Sequence, residues 1–167
     1  AARVVKRGDP TIRFAIVGAT DPDNPGAIAQ PTVDGWVEEG VIEWWGYRQD
    51  MPAAYRQARI VCLPSYREGF PKALLEAASC GRPLIATDVA GCREVCRDGI
   101  NGTLVPVHSS EKLARAITRM FAAPEMQAAY GLAGRELVER EFSVQHIGQR
   151  TLACYSHILE SATVGKT

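Results

Sequence analysis

The chain has 167 residues, a length that suits one domain and is too short for two of ordinary size. Of these residues 46% are apolar and 23% charged, a composition typical of a soluble globular protein. Lysine plus arginine and aspartate plus glutamate number 19 each, so the formal net charge is zero and gives no sign of a nucleic-acid partner. No apolar run approaches the ~18 residues of a membrane span, and no signal-peptide pattern opens the chain.

The five cysteines give no sign of a disulfide framework or a zinc site, because their number is odd and they form no C-x-x-C pair. Cys92 and Cys96 lie one helical turn apart, which we interpret as two small residues of a short helix. This cysteine usage predicts a cytoplasmic protein. The first seven residues resemble the tail of a helix and include no Met, so we expect the chain to be a piece of a longer protein.

Strands and helices are predicted to alternate over the first two thirds of the chain. In chain order these are a buried strand at Ile12–Gly18, a loop at Asp21–Gly26, a helix at Pro31–Glu39, a strand at Val41–Trp45, a helix at Met51–Ala58 capped by Asp50, a strand at Ile60–Leu63, a helix at Pro71–Cys80, a strand at Leu84–Thr87, a short helix near Cys92–Cys96 and a strand at Thr103–Val107. Strands alternating with helices predict an α/β fold, a Rossmann-like parallel sheet with helices on both faces.

Three helices are predicted after the last strand. The first is capped by Ser109 or Ser110, the second spans roughly Glu125–Glu141, and the third begins after Ser143. One face of the third helix carries an apolar stripe, which we expect to pack in the core. Its members are Val144, Ile147, Thr151, Tyr155 and Ile158.

The segment 64–76 carries the main candidate site. In parallel α/β folds ligands bind beyond the carboxyl ends of the strands, and here a strand leads through Glu68 and Gly69 into a helix that begins at Pro71. The free N–H groups of a helix start carry about half a positive charge and favour phosphate. The candidate amide donors are those of Lys72, Ala73 and Leu74.

Two carboxylates bracket this expected anion site. Glu68 precedes the helix, and Glu76 lies one turn beyond Lys72. A carboxylate repels phosphate but accepts hydrogen bonds from vicinal sugar hydroxyls, so the pattern suits a ligand with a sugar on each side of a diphosphate. The alternative interpretation is a loop-capping Glu68 and a solvated Glu76, which spacing alone does not exclude.

The segment from Glu68 to Glu94 resembles the signature of family-4 retaining glycosyltransferases, which have the GT-B fold. That signature is a glutamate, seven residues, a second glutamate, C-G-x-P, a strand and T-x-x-x-G. The resemblance continues in Gly46–Asp50, Leu63–Ser65 and Asp98–Gly102. It implies that residues 1–167 are the nucleotide-sugar (donor) binding domain, the C-terminal half of a GT-B fold.

The resemblance implies roles for individual residues. Glu68 matches the catalytic-site glutamate that contacts the transferred sugar, and Glu76 matches the one that holds the ribose hydroxyls. The other positions implied to bind the donor are Gly69, Phe70, Pro71, Lys72, Ala73, Leu74, Tyr47 and Arg48. Pro71 has no N–H, so any donor that relatives supply there is absent. The partners implied are a nucleotide-sugar donor and an N-terminal acceptor domain, absent here.

Such enzymes also carry an Arg and a Lys that neutralise the leaving diphosphate, and neither is found at the matching place. We therefore expect this chain alone to bind donor weakly and to catalyse nothing. The resemblance allows a peripheral position on the inner face of the membrane through the absent domain. It implies no cofactor and no obligatory metal.

Other signals favour no competing site. Asp21-Pro-Asp23 matches a D-x-D metal motif, but its surroundings are typical of a loop, and His108, His146 and His157 lack metal-site spacing. The sequence contains no P-loop, nucleophile elbow or G-x-G-x-x-G. The three tryptophans are predicted to pack in the core or against another domain, with a sugar platform as the alternative; they are Trp36, Trp44 and Trp45. The remaining alternatives are a GT-B-like sugar-nucleotide epimerase and a non-catalytic flavodoxin-like module.

Overall fold

The computed structural model describes residues 1–21 and 26–164, which form five strands and eight helices. The strands are β1 (Ala15–Ile16), β2 (Glu43–Trp44), β3 (Val61–Leu63), β4 (Leu84–Thr87) and β5 (Gly102–Val105). The helices are α1 (Ala2–Gly8), α2 (Gln30–Glu38), α3 (Met51–Gln57), α4 (Lys72–Ser79), α5 (Ala90–Val95), α6 (Ser110–Phe121), α7 (Pro124–Glu141) and α8 (Val144–Val164). Within these ranges, every helix falls short of the length and hydropathy that a bilayer crossing needs. The loop predicted at Asp21–Gly26 lies largely outside the described residues.

The predicted α/β alternation of parallel strands and helices is confirmed. Strands β3, β4 and β5 form a parallel sheet with β4 in the middle, where Ile85 pairs with Cys62 on one side and with Thr103 on the other. All four residues of β4 are buried, as its continuous apolar run predicts for a strand covered on both faces. This sheet brings the chain segments after β3, β4 and β5 to one edge.

The first two strands differ from their prediction. β1 pairs with β2 in a separate parallel sheet of two strands, and the ladder includes only Ala15 and Ile16 of the predicted segment Ile12–Gly18. Ile12 is buried, but both residues of β1 are exposed, so the prediction of a buried strand is wrong. Among the described residues β1 has a strand neighbour on one side, whereas β4 has one on each side.

The core is centred on α4, where Leu74, Ala77 and Ala78 are fully buried. Small residues let α7 approach this helix closely: a β-carbon at Gly134 would lie 3.5 Å from that of Ala78. Gly131 of α7 packs directly against the Gly81 backbone. Because α4 packs between the sheet and α7, these contacts define the position of its N-terminus.

The loop that leads into β5 is closed by its own polar side chains. Asn101 is fully buried, where it donates to the Val95 carbonyl at 2.7 Å and accepts from the Arg97 amide at 2.7 Å. The Asp98 carboxylate accepts from the backbone N–H of Leu104 at 2.8 Å. These bonds hold the edge of the sheet at β5.

The last three helices lie close to their predicted bounds. The Ser109 hydroxyl accepts from the Lys112 amide at 3.4 Å as the cap of α6, and Pro124 opens α7. The apolar stripe of α8, however, is not core. Val144 is 84% exposed, and Ile147, Tyr155 and Ile158 are exposed as well. Helical spacing shows that these residues share a face, but not that another element covers it.

Candidate functional site

The loop between β3 and α4 is held in place by contacts with the end of β4 and with α5. Thr87, at the end of β4, donates from its hydroxyl to the carbonyl of Ser65. Gly91 of α5 packs against the backbone at Glu68 and Gly69, since a β-carbon there would lie 2.5 Å from the Gly69 carbonyl oxygen and 2.7 Å from the carbonyl carbon of Glu68. The T-x-x-x-G pattern therefore fixes the backbone that carries Glu68.

The N-terminus of α4 offers two free amides. Pro71 is its buried N-cap residue, and no side chain caps the helix. The N–H groups of Leu74 and Leu75 both donate to the Pro71 carbonyl, at 3.0 and 3.2 Å. The amides of Lys72 and Ala73 donate to no described residue. The Leu74 amide, predicted as a candidate donor, is already used in the tight first turn of the helix, and its role in donor binding stays a prediction.

Glu76 lies between two neighbours. Its Oε2 accepts from the hydroxyl of Tyr55 at 3.3 Å, and its Oε1 lies 3.4 Å from the Nζ of Lys72. The Glu76 side chain is 34% exposed, whereas that of Lys72 is 85% exposed. Glu76 is thus partly buried and faces α3, so the interpretation of a fully solvated Glu76 is not supported.

Glu68 is half-buried beside α5. Burial raises the pKa of the Cys92 thiol on α5, and the nearby charge of Glu68 raises it further, although a hydrogen bond with Thr87 acts in the opposite direction. No hydrogen bond or ion pair among the described residues joins Glu68 to Glu76. The two carboxylates therefore lie before and within α4 with different surroundings.

Phe70 connects the loop to the junction of α7 and α8. Its ring centroid lies 5.5 Å from that of Phe142, with the ring planes tilted by 52°. The neighbouring Glu141 forms a two-point ion pair with Arg97, which follows α5. That pairing lowers the pKa of Glu141 to about 2, with a smaller effect from Arg140. The end of α7 is therefore tied to α5 beside the loop.

Tyr47 and Arg48 line an open cleft of about 630 Å³ between the segment after β2 and helix α3. The cleft also includes Arg13 and Glu43, whose two-point ion pair lowers the pKa of Glu43 to about 2 with help from the Trp45 indole. Arg48 forms no ion pair with any described residue. The cleft and Glu76 meet at α3, because Ala53 and Ala54 line the cleft while Tyr55 contacts Glu76.

Of the three tryptophans, Trp45 lines this cleft, whereas Trp36 and Trp44 lie elsewhere. Trp44 is 36% exposed and its indole donates to the Gly18 carbonyl at 2.9 Å, while Trp36 and Trp45 are half-buried. Across the described parts of the chain, no three His, Cys, Asp or Glu side chains are grouped as a metal site would require. The Asp21-Pro-Asp23 motif lies mostly outside the described residues.

Sequence reasoning missed three residues of this site: Tyr55, Thr87 and Gly91. The T-x-x-x-G pattern was a usable signal for the last two, because a motif glycine often marks a close backbone approach. Tyr55 had no such signal, since its contact with Glu76 spans 21 positions of the chain.

Comparison with known proteins places this architecture among glycosyltransferases. The sucrose-phosphate synthase of Thermosynechococcus elongatus superposes with a TM-score of 0.81 at 27% identity, over 95% of this chain and 41% of that one. The Anabaena protein HepE, solved in complex with UDP, superposes with a TM-score of 0.84 at 21% identity, over 93% of this chain and 44% of that one. The class of protein that this fold defines is the GT-B glycosyltransferases.

Sequence comparison gives the family. Residues 1–123 match the family described as Glycosyl transferases group 1, and this chain belongs to it. A D-inositol 3-phosphate glycosyltransferase of Saccharomonospora viridis is 33% identical over 149 residues, 84% of this chain and 34% of that enzyme. An N,N'-diacetylbacillosaminyl-diphospho-undecaprenol alpha-1,3-N-acetylgalactosaminyltransferase of Campylobacter jejuni is 25% identical over 89% of this chain and 38% of its own length. The chain thus spans just over a third of each of these relatives.

Proposed function

We propose that this chain is the donor-binding half of a family-4 retaining glycosyltransferase, which transfers a hexose or N-acetylhexosamine from a nucleotide diphosphate sugar. Family membership supports transferase chemistry. The observation that carries the proposal is the start of α4, where the unbonded amides of Lys72 and Ala73 lie between Glu68 and the partly buried Glu76. An anion at that helix start would receive two hydrogen bonds and the favourable end of the helix dipole.

Each carboxylate has a separate role in this proposal. Glu76 accepts hydrogen bonds from the ribose hydroxyls, and Glu68 accepts them from the sugar that is transferred. The helix start stabilises the charge that develops on the departing diphosphate, which is where preorganised donors lower a barrier most. Thr87 binds the loop at Ser65 and Gly91 packs against it at Glu68, so the loop is ordered before the donor binds.

The cleft beside Tyr47 and Arg48 is the proposed place of the nucleobase. Its volume of about 630 Å³ lies within the usual range for small-molecule sites. It adjoins Glu76 through α3, so a base there and a ribose at Glu76 would be neighbours, as they are in a nucleotide.

The acceptor is held by another part of the protein in this proposal, and the reaction needs no obligatory metal. The names of two relatives, one for an inositol phosphate and one for a diphospho-undecaprenol glycan, support a glycan or lipid-linked acceptor. A peripheral position on the inner face of the membrane, provided by the absent half, would suit a lipid-linked acceptor. The isolated chain is expected to bind donor weakly and to transfer nothing.

The test is calorimetric titration of the full-length protein with UDP, GDP and ADP, combined with product analysis. Glu76→Ala should weaken binding of the preferred nucleotide about tenfold or more, as expected for lost charge-assisted hydrogen bonds. Glu68→Ala should reduce sugar transfer more than nucleotide binding. Glu136→Ala on the exposed side of α7 serves as the matched control. Unchanged affinity in Glu76→Ala would refute the ribose role, and epimerised donor without transfer would refute glycosyl transfer.

A further inference from the structure

Glu76 has a partner on α3 that the family signature does not contain. The hydroxyl of Tyr55 donates to Oε2 of Glu76 at 3.3 Å, across 21 positions of the chain. We infer that Tyr55 is a positioning residue: it holds one oxygen of Glu76 so that the other is presented to the ribose of a nucleoside diphosphate. This inference rests on the proposed function and adds a residue to it.

The Tyr55 hydroxyl belongs to a buried side chain and therefore needs a hydrogen-bond partner within the protein. The Tyr55 side chain is 6% exposed and belongs to the same core cluster as Leu74 and Ala77 of α4. A buried hydroxyl without a partner costs free energy, and the hydrogen-bond partner of this one is Glu76. Burial and the charge of Glu76 raise the pKa of Tyr55 from 10 to about 12, although a phenol with either value is protonated at neutral pH and can donate.

The two oxygens of Glu76 are held in different ways. Oε2 accepts a hydrogen bond from the Tyr55 hydroxyl, and the ring that carries this hydroxyl packs in the core and cannot move without disturbing that packing. Oε1 lies 3.4 Å from the Nζ of Lys72, whose side chain is 85% exposed and therefore lacks the close packing that holds an interior side chain. Lys72 is the first residue of α4, so its side chain can turn towards a diphosphate bound at the helix start and release Oε1. The ribose hydroxyls would then meet an oxygen whose orientation Tyr55 has already set.

Preorganisation is what the hydroxyl contributes. Glu has three side-chain torsions, and ordering them on binding reduces affinity unless another contact has already fixed them. Removing the Tyr55 hydroxyl while keeping its ring should therefore weaken ribonucleotide binding by roughly 3- to 10-fold, the effect of one lost hydrogen bond. It should not weaken binding of a nucleotide that lacks ribose hydroxyls.

The experiment compares Tyr55→Phe with the unmodified full-length protein by calorimetry. The probes are UDP, GDP and ADP, each beside its 2′,3′-dideoxy analogue. We expect Tyr55→Phe to reduce the preference for the ribonucleotide and to leave affinity for the dideoxy analogue unchanged. The double variant Tyr55→Phe/Glu76→Ala should bind like Glu76→Ala alone. Tyr130→Phe, a half-buried tyrosine of the other core cluster, is the matched control.

The outcomes separate this inference from the proposed function. Equal weakening for both kinds of nucleotide would mean that Tyr55 acts through general stability, which overturns the positioning role. A full ribose preference in Tyr55→Phe that is lost in Glu76→Ala would also overturn it, while the proposed role of Glu76 would stand. A ribose preference that survives Glu76→Ala would refute the ribose role itself.

Discussion

Gly91 lies so close to Gly69 that a β-carbon at position 91 would be 2.5 Å from the Gly69 carbonyl oxygen. Real β-carbons do not approach this closely, so every other residue type would push α5 and the Glu68 loop apart. The backbone conformation of Gly91 is an ordinary helical one, and the reason for glycine is space alone.

Gly91→Ala should therefore impair sugar transfer at least tenfold and destabilise the fold by roughly 1–3 kcal/mol, as overpacking does. Nucleotide binding through Glu76 should change less, since Glu76 contacts α3 rather than α5. Transfer assays and urea unfolding measure both effects. Gly35→Ala in α2 is the control, because its β-carbon would meet open space and helix propensity predicts neutral or improved stability. Equal behaviour of the two variants would contradict the packing argument.

The Arg97–Glu141 pair predicts a defined pH dependence. The pKa of Glu141 falls from its ordinary value of 4.5 to about 2 in the folded protein, so the pair contributes fully above pH ~5 and is lost as the pH falls towards 2. Glu141→Gln should lower stability at neutral pH by about 1 kcal/mol, or roughly 2–4 °C in Tm. The difference from the unmodified protein should shrink below pH 4.

Thermal unfolding between pH 2.5 and 7 measures this difference. Glu139→Gln is the control, since its pair with Arg135 is exposed and lies within one helix. A deficit of Glu141→Gln that stays constant with pH would show that the lost interaction is not the ionised pair.

Exposure of α8 makes a prediction about packing. Leu152 is 68% exposed, so Leu152→Ser should change the unfolding free energy of the chain 1–167 by less than about 0.5 kcal/mol. Leu74 is fully buried in α4, and Leu74→Ala should cost about 2–5 kcal/mol. Urea unfolding compares the two. If a segment of the full-length protein covers this face of α8, Leu152→Ser should destabilise that protein more than the isolated chain.

A chelator tests the proposed independence from metal. The amides of Lys72 and Ala73 and the dipole of α4 are proposed to stabilise the diphosphate, so transfer should persist in excess EDTA. Initial rates with and without EDTA, then with added Mg²⁺, give the answer. Loss of activity that Mg²⁺ restores would contradict the proposal.

The sequence predicted those parts of the fold that depend on local chemistry. Leu84–Thr87 was predicted with its observed bounds because an uninterrupted apolar run suits a strand covered on both faces, and Asp50 accepts from the Ala53 amide at 2.9 Å as the predicted cap. Exposure was predicted poorly: Ile16 and Val144 belong to apolar patterns, yet no described element covers them. A pattern identifies the apolar face of an element, whereas burial depends on what packs against it.

In the candidate site, likewise, features that depend on local sequence could be predicted and contacts between distant segments could not. Glu68 and Glu76 could be chosen from their spacing around a helix start, and the roles proposed for them stay predictions. The engaged amide of Leu74 could not be foreseen, because it depends on how tightly the first turn of α4 winds on Pro71. The contacts of Tyr55 and Gly91 join segments that are distant in the chain, so they needed the structure.

The bond from Asp98 to the Leu104 amide has a consequence for how the molecule behaves in solution. An outer strand with unused N–H groups is a template on which a second molecule can add its own strand, which is how cross-β fibrils begin. Because the Leu104 N–H is already occupied, β5 is a poor template for such growth. We therefore expect Asp98→Ala, which frees this N–H group, to raise the tendency of the protein to form fibrils, as measured by thioflavin T fluorescence.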